Sequence, residues 1–269
     1  MRTLTTAGAA ASAVVGLALS LPGTAEAARH QPHKTPWHVS IKADKTTMTV
    51  GQKVRLTGKV SKSAAGGLVR LYERGASGRP WRYQRNALVH RDGRYEVADK
   101  PTVNAPRDYR VVMPANAHHQ KGVSARVHVD VFAWTSLTGF TAKNASYLFV
   151  EPSVSINGVS YPSSLEAGIF HNPDTPTDQA IEFNVNHQCT RFRGTFGLAD
   201  DSESGSRATV TAFAGSTSFF SQDFSLGETA KKVTTFTTPP LKLRFETSSE
   251  VAGADGLGAV GTPEVYCER

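Results

Sequence analysis

The run Ile156-Asn157-Gly158-Val159-Ser160-Tyr161, followed by Arg191-Phe192-Arg193-Gly194-Thr195-Phe196-Gly197-Leu198 and then Asp200-Asp201-Ser202-Glu203-Ser204-Gly205-Ser206, decides how this chain is read. Asn157-Gly158 stands between residues of alternating polarity, and both central positions of a two-residue hairpin need positive φ, which Asn and Gly tolerate best. Strands are therefore expected on either side. From Arg191 onward Phe192, Phe196 and Leu198 share one face with Gly194, whereas Arg191, Arg193 and Thr195 share the other. That period of two marks a half-buried strand. The run closes in an acidic, Ser-rich turn.

Outward from this run, strands are expected over 146–150, 153–156, 180–185, 191–198, 207–214, 219–224, 233–236, 241–246 and 264–267. Leu241, Leu243 and Phe245 are placed on one face and Lys242, Arg244 and Glu246 on the other, the pattern of an antiparallel strand with one wet face. Nine such strands fit a jelly roll. In the first half, strands are expected over 37–42, 53–60, 68–73, 81–86, 94–97, 109–113 and 124–132, with Asp92-Gly93 as a hairpin turn. Seven short strands match an immunoglobulin-like sandwich. The fold class is all-β, an Ig-like β-sandwich over 37–132 followed by a jelly-roll β-sandwich over 133–269, with the boundary near Phe132-Ala133-Trp134.

The N-G-x-x-Y hairpin, the strand ending F-x-G-x-x-D-D, the Gly-Ser after it and the strand Ala208-Thr209-Val210-Thr211-Ala212-Phe213 together resemble the NPCBM carbohydrate-binding modules of secreted bacterial proteins. The resemblance runs from about Trp134 to Arg269 and implies a galactose-binding-like jelly roll. Two departures stand. The stretch 162–171, ending in His171, is longer than the Gly-rich stretch that leads to a histidine in the family, and Ala214-Gly215 replaces the family's hairpin Asp-Gly. The segments Thr49–Val60, Gly93–Tyr95 and Asp108–Val112 resemble bacterial Ig-like modules, which usually act as spacers.

Met1-Arg2, an apolar stretch from Ala7 to Leu21 and Ala25-Glu26-Ala27 have the form of a signal peptide over 1–27. The apolar stretch is too short to span a bilayer, and no transmembrane anchor is expected. Residues 28–36 read as a flexible basic arm. An extracellular or noncovalently wall-associated location follows. The two cysteines of an exported chain, Cys189 and Cys267, are expected to pair. Closing that loop is worth about 4.5 kcal/mol on the chain-entropy model. The alternative, a metal site on His187 and Cys189, lacks the three or four ligands at zinc spacing.

Charge divides the halves. Residues 28–132 carry 20 Lys and Arg against 7 Asp and Glu, and 133–269 carry 9 against 15. The first module therefore suits an anionic wall polymer, and its basic residues are interleaved with Trp37, Tyr72, Trp81, Tyr83 and Tyr95. The plainer reading makes the cations the solvated faces of strands and the aromatics core. Outside a cell the anionic partners open to it are teichoic or other wall polymers, anionic lipid headgroups, sulfated glycans and extracellular DNA; of these a wall polymer is the expected partner, and nucleic acid is not.

Asp200, Ser202 and Ser204 echo the start of an EF-hand loop, but its twelfth position falls on Thr211, where a bidentate Glu is needed. Two readings stand: a loop site for calcium, or turn formers that satisfy local backbone donors. No cofactor is required. There is no G-x-S-x-G elbow or phosphate loop, and the acidic clusters Asp174/Asp178, Asp200/Asp201/Glu203 and Glu246/Glu250 fall in turns or strand ends. The chain reads as a non-enzyme. Its expected sugar site is a loop cluster of Tyr161, His171, Asn172, Asp200, Asp201 and Ser202 that takes a galactoside or cell-wall polysaccharide. The other reading is a structural or adhesive envelope protein.

Overall fold

The computed structural model describes residues 34–75, 78–168, 178–249 and 256–268. The expected signal peptide and most of the basic arm, together with His171, Asn172, Asp174 and Glu250, lie outside these residues. Among the described residues the chain is built almost wholly of strands.

The first part contributes β1 (Thr35–Pro36), β2 (Lys42–Ala43), β3 (Thr47–Thr49), β4 (Val54–Lys59), β5 (Leu68–Arg74), β6 (Arg82–Leu88), β7 (Arg94–Asp99), β8 (Arg107–Met113), β9 (His119–Gln120), β10 (Gly122–Val123) and β11 (Val127–Ser136). A three-stranded sheet, β2-β4-β7, and the row β6-β5-β8-β11 enclose one apolar cluster. Its members alternate along the strands as burial on one face requires: Val54 and Leu56, Val69 and Leu71, Tyr95 and Val97, Val129 and Val131. Trp37 is also buried there, its indole stacked on His119 at 3.8 Å and its Nε1 donating to the Pro114 carbonyl at 3.0 Å.

The second part adds β12 (Ala142–Ser146), β13 (Leu148–Ile156), β14 (Val159–Ala167), β15 (Asp178–Asn184), β16 (Cys189–Leu198), β17 (Arg207–Ala214), β18 (Thr217–Ser225), β19 (Thr229–Thr235), β20 (Lys242–Ser249) and β21 (Gly258–Cys267). One antiparallel sheet runs β12-β15-β20-β17-β18, and a second runs β13-β14-β21-β16-β19. Between them lies a separate apolar cluster centred on Phe183, Phe192, Phe196, Phe224 and Phe245. Six or more aromatic contacts within it, such as Phe192 to Phe245 at 5.7 Å and Phe196 to Phe220 at 4.0 Å, add to the area term that dominates its stability.

The two cores are joined by backbone. Val127 to Val129 of β11 pair with β8, and Ala133 to Ser136 of the same strand pair with β21, so one hydrogen-bonded sheet passes through both sandwiches. The segment Phe132-Ala133-Trp134 therefore lies inside a continuous strand. Beside it Tyr266 stacks on Phe132 at 5.2 Å and approaches Trp134 at 5.4 Å.

Several expectations change in detail. Asn157 and Gly158 both take positive φ, 52° and 73°, and close the β13–β14 hairpin as expected. Asp92-Gly93 does not close a hairpin: His90 accepts from the Gly93 amide, and the turn carries the chain from β6 in one sheet to β7 in the other. The segment 37–42 is not a single strand, and Thr35–Pro36, read as arm, pairs with β9. Leu241 precedes β20 and is half exposed, its carbonyl accepting from the Val185 and Asn186 amides. Thr195 is buried because irregular pairing with β21 falls between Arg193 and Thr195.

Candidate functional site

Cys189 and Cys267 face each other across β16 and β21, fully buried and disulfide-bonded. The bond fixes the end of β21 to β16, and β16 leads directly into the acidic turn. That turn is two consecutive reverse turns. The Ser202 amide donates to Ala199, and the Ser206 amide donates to Glu203 with Gly205 at φ 82°, the value needed at the third position of a type II turn.

The side chains of the acidic turn hold backbone. Asp200 Oδ2 accepts from the Gly158 amide at 2.9 Å, tying the turn to the hairpin. Ser202, 7% exposed, uses its Oγ to accept from the Leu257 amide at 3.0 Å. Ser204 is exposed. Asp201 is hydrogen-bonded to Glu166 on β14; burial, the charge and hydrogen bond of Asp201 and the charge of Glu151 push the Glu166 carboxyl up to about 7. Tyr161 is half-buried against Gly261, where a Cβ would meet its ring at 2.6 Å. Asp200, Asp201 and Ser202 thus come together in one turn, with Tyr161 packed on β21. No group of three or more His, Cys, Asp or Glu able to hold a metal ion occurs among the described residues.

A concave polar surface lies elsewhere, on the outer face of β12-β15-β20-β17. It is a groove of about 580 Å³ whose lining includes Asn144, Glu182, Thr209, Thr211, Arg244 and Glu246. Period-two alternation puts them there. Ile181 and Phe183, Val210 and Ala212, and Leu243 and Phe245 fill the core, so their neighbours in sequence point outward. The register then aligns them in rows, with Glu182 opposite Arg244 and Glu246 opposite Thr211.

The groove is held in place by its own contacts. Lys242 Nζ donates to Glu182 Oε1 and Oε2 at 2.9 and 3.0 Å, and Asn144 Nδ2 donates to Oε2 at 3.2 Å. These bonds, that from Lys242 foremost, keep the Glu182 carboxyl below its usual range. Arg244 pairs with Glu246 and lies over the Phe213 ring at 5.9 Å. Thr211 bonds Ser221 at 3.0 Å, and Thr209 donates to Asp223 at 2.6 Å. Glu182 and Glu246 have cationic partners and Asp223 a hydroxyl one, so the surface offers many hydrogen-bonding groups with little net charge.

The sequence reading placed Lys242, Arg244 and Glu246 on a wet face but did not join them to Asn144, Glu182, Thr209 or Thr211. Those residues belong to four strands, and only the strand order makes them neighbours.

No family model and no curated protein matches the chain. Among solved structures, TmCBM61 in complex with β-1,4-galactotriose is similar at 11% identity and a TM-score of 0.23, over 51% of this chain and 88% of that one. An exo-β-1,3-galactanase from Phanerochaete chrysosporium with galactose is similar at 9% identity and a TM-score of 0.28, over 85% and 56%. A Corynebacterium diphtheriae protein described as membrane-anchored gives 10% and 0.29, over 86% and 51%. The chain thus spans about half the length of the last two, and at these values the function rests on the geometry of the site.

Proposed function

We propose that the protein is a secreted, non-catalytic carbohydrate-binding protein that takes a neutral glycan along the groove over β12-β15-β20-β17. The observation that carries this reading is the chemistry of the lining. Asn144, Glu182, Arg244 and Glu246 supply planar donors and acceptors, and Thr209 and Thr211 supply hydroxyls, all on a rigid sheet. A polyhydroxylated ring needs such groups at fixed spacing, and groups already held by Lys242 and Asn144 lose little freedom on binding. Two cations paired with Glu182 and Glu246 leave little net charge, which favours a neutral ligand over an ionic one.

The glycan is placed on the sheet face and not on the acidic turn, because Asp200 and Ser202 already accept from backbone amides there. The non-catalytic reading rests on the pairing of both groove carboxylates with cations, Glu182 with Lys242 and Glu246 with Arg244. Export is supported by the N-terminal pattern and the buried disulfide. No helix of the described residues is long and apolar enough to cross a membrane.

The test is calorimetry on the full chain with β-galacto-oligosaccharides and cell-wall oligosaccharides, in wild type and Arg244→Ala. Binding that weakens about tenfold in the variant, equivalent to ~1.4 kcal/mol, is expected. Binding unchanged by the substitution moves the glycan away from the groove.

A further inference from the structure

The aromatic residues of the first module fall into two sets. Trp37 and Tyr95 are core, 3% and 2% exposed. Tyr72, Trp81 and Tyr83 instead gather at the outer face of β5-β6-β8, where Tyr83 is 51% exposed and meets Tyr72 edge-on at 6.0 Å. Two guanidinium groups lie against Trp81: Arg74 at 4.7 Å and Arg110 at 4.2 Å, with Arg110 also 5.8 Å from the Tyr72 ring. Register explains the grouping, since Tyr72 of β5 stands between Tyr83 of β6 and Arg110 of β8.

The two arginines differ in their partners. Arg74 donates from Nε to Asp108 at 3.0 Å, and Asp108 also receives Arg126 at 3.3 Å and His128 Nδ1 at 2.9 Å. Arg110 forms no ion pair among the described residues, and its Nε is buried with no hydrogen-bond partner. A guanidinium stacked on aromatic rings uses its faces for the stack and leaves its N–H edge for an in-plane acceptor; a carboxylate fits that edge two bonds at a time. Arg70 is exposed on the same face of β5, within a module carrying 20 cations against 7 anions over 28–132.

We infer that this face binds an acidic glycan, the carboxylate of a uronic-acid ring meeting Arg110 while the ring's C–H face lies on Tyr83. The partner is chosen by charge complementarity and by the exposed Tyr83, which lies one strand beyond Tyr72 from the unpaired cation. An anion alone would need only the arginines, whereas a pyranose ring accounts for Tyr83 as well. This surface belongs to the other sandwich and does not depend on the groove over β12-β15-β20-β17.

The test uses the full-length chain and polyuronate oligomers, with dextran as neutral polymer and a single-stranded oligonucleotide as non-glycan polyanion. Wild type, Arg110→Gln, Arg110→Lys, Tyr83→Ala, Arg91→Gln and Arg244→Ala are compared by calorimetry at low salt. Arg91 is exposed in a different cleft, so its variant removes the same charge elsewhere. The expected result is polyuronate binding that falls about tenfold in Arg110→Gln and severalfold in Tyr83→Ala, stays unchanged in Arg91→Gln and Arg244→Ala, and has no dextran counterpart. Arg110→Lys, which keeps charge and bulk but not the fork, should lose most of the affinity while folding like wild type. The inference is overturned if polyuronate does not bind, if Arg91→Gln weakens binding as much as Arg110→Gln, or if the oligonucleotide binds more tightly than the polyuronate.

Discussion

The carboxylate of Asp200 accepts a hydrogen bond from the amide of Gly158 at 2.9 Å across 42 positions of sequence. Two turns that the sequence marks separately, Asn157-Gly158 and Asp200-Asp201, are therefore parts of one structure. Asp200→Ala removes a charged acceptor and should cost about 1.5–3 kcal/mol, less what the Gly158 amide recovers from water. Glycan affinity should not change. Urea denaturation and calorimetry on the same variant check both halves, and weakened binding at unchanged stability would move the ligand to this turn.

The Cys189–Cys267 bond should matter more. Because both residues are fully buried, the folded protein should show no alkylatable thiol and should resist mild reductant. Replacing both by Ala should lower stability by about 2–5 kcal/mol. A change within 0.5 kcal/mol would show that the β16–β21 pairing holds β21 without the bond.

Hairpin, disulfide and phenylalanine core were readable because each depends on neighbours in sequence or on simple counting. Asn157-Gly158 carries its own backbone requirement, and Phe192, Phe196 and Phe245 keep period two. The strand after Gly158 was expected from the turn, but its length was not readable. β13 continues through Pro152, and the pairing of Glu151 with Ser164 and Ser153 with Pro162 leaves Pro152 opposite Ser163, whose φ is 52°. β21 begins earlier than expected because Gly258 and Gly261 sit where side chains would strike Thr247 and Tyr161, so these glycines mark close packing and not a loop. The groove was not legible. Asn144, Glu182, Thr209 and Arg244 become adjacent only through the order β12-β15-β20-β17, which no short motif encodes.

Stability should fall as pH rises toward neutrality, and Glu166 should be one source. Its carboxyl titrates at about 7 when folded, against 4.5 for the free group, because burial, Asp201 and Glu151 disfavour its charge. The folded chain therefore keeps a proton that the unfolded chain has released. This contribution is complete below about pH 4.5 and is lost as pH passes through about 7. His128, raised chiefly by its bond to Asp108, adds a loss of the same sign, so the comparison must be with a variant. Glu166→Gln should flatten the decline in melting temperature between pH 5 and 8 and be the more stable protein at pH 8. Parallel curves for variant and wild type would remove Glu166 from the account.

The hydroxyls of Thr49 and Tyr266 meet at 2.5 Å, and Tyr266 also stacks on Phe132, so this side chain ties β21 to β3 and β11 of the first sandwich. Tyr266→Ala should cost about 2–3 kcal/mol, below the full cost of a buried ring because Tyr266 is only half-buried. It should also split one calorimetric transition into two. A single transition at the wild-type temperature would mean that the backbone pairing of β11 with β21 suffices.

The central claim is that the groove over β12-β15-β20-β17 is the glycan site. Titration calorimetry with neutral oligosaccharides, comparing wild type, Arg244→Ala and Glu182→Gln at matched folded fraction, tests it most directly. The account predicts binding in wild type that is weakened about tenfold in each variant, ~1.4 kcal/mol, with melting temperatures little changed. Equal affinity in all three proteins, or no binding of any neutral oligosaccharide at millimolar concentration, would contradict it.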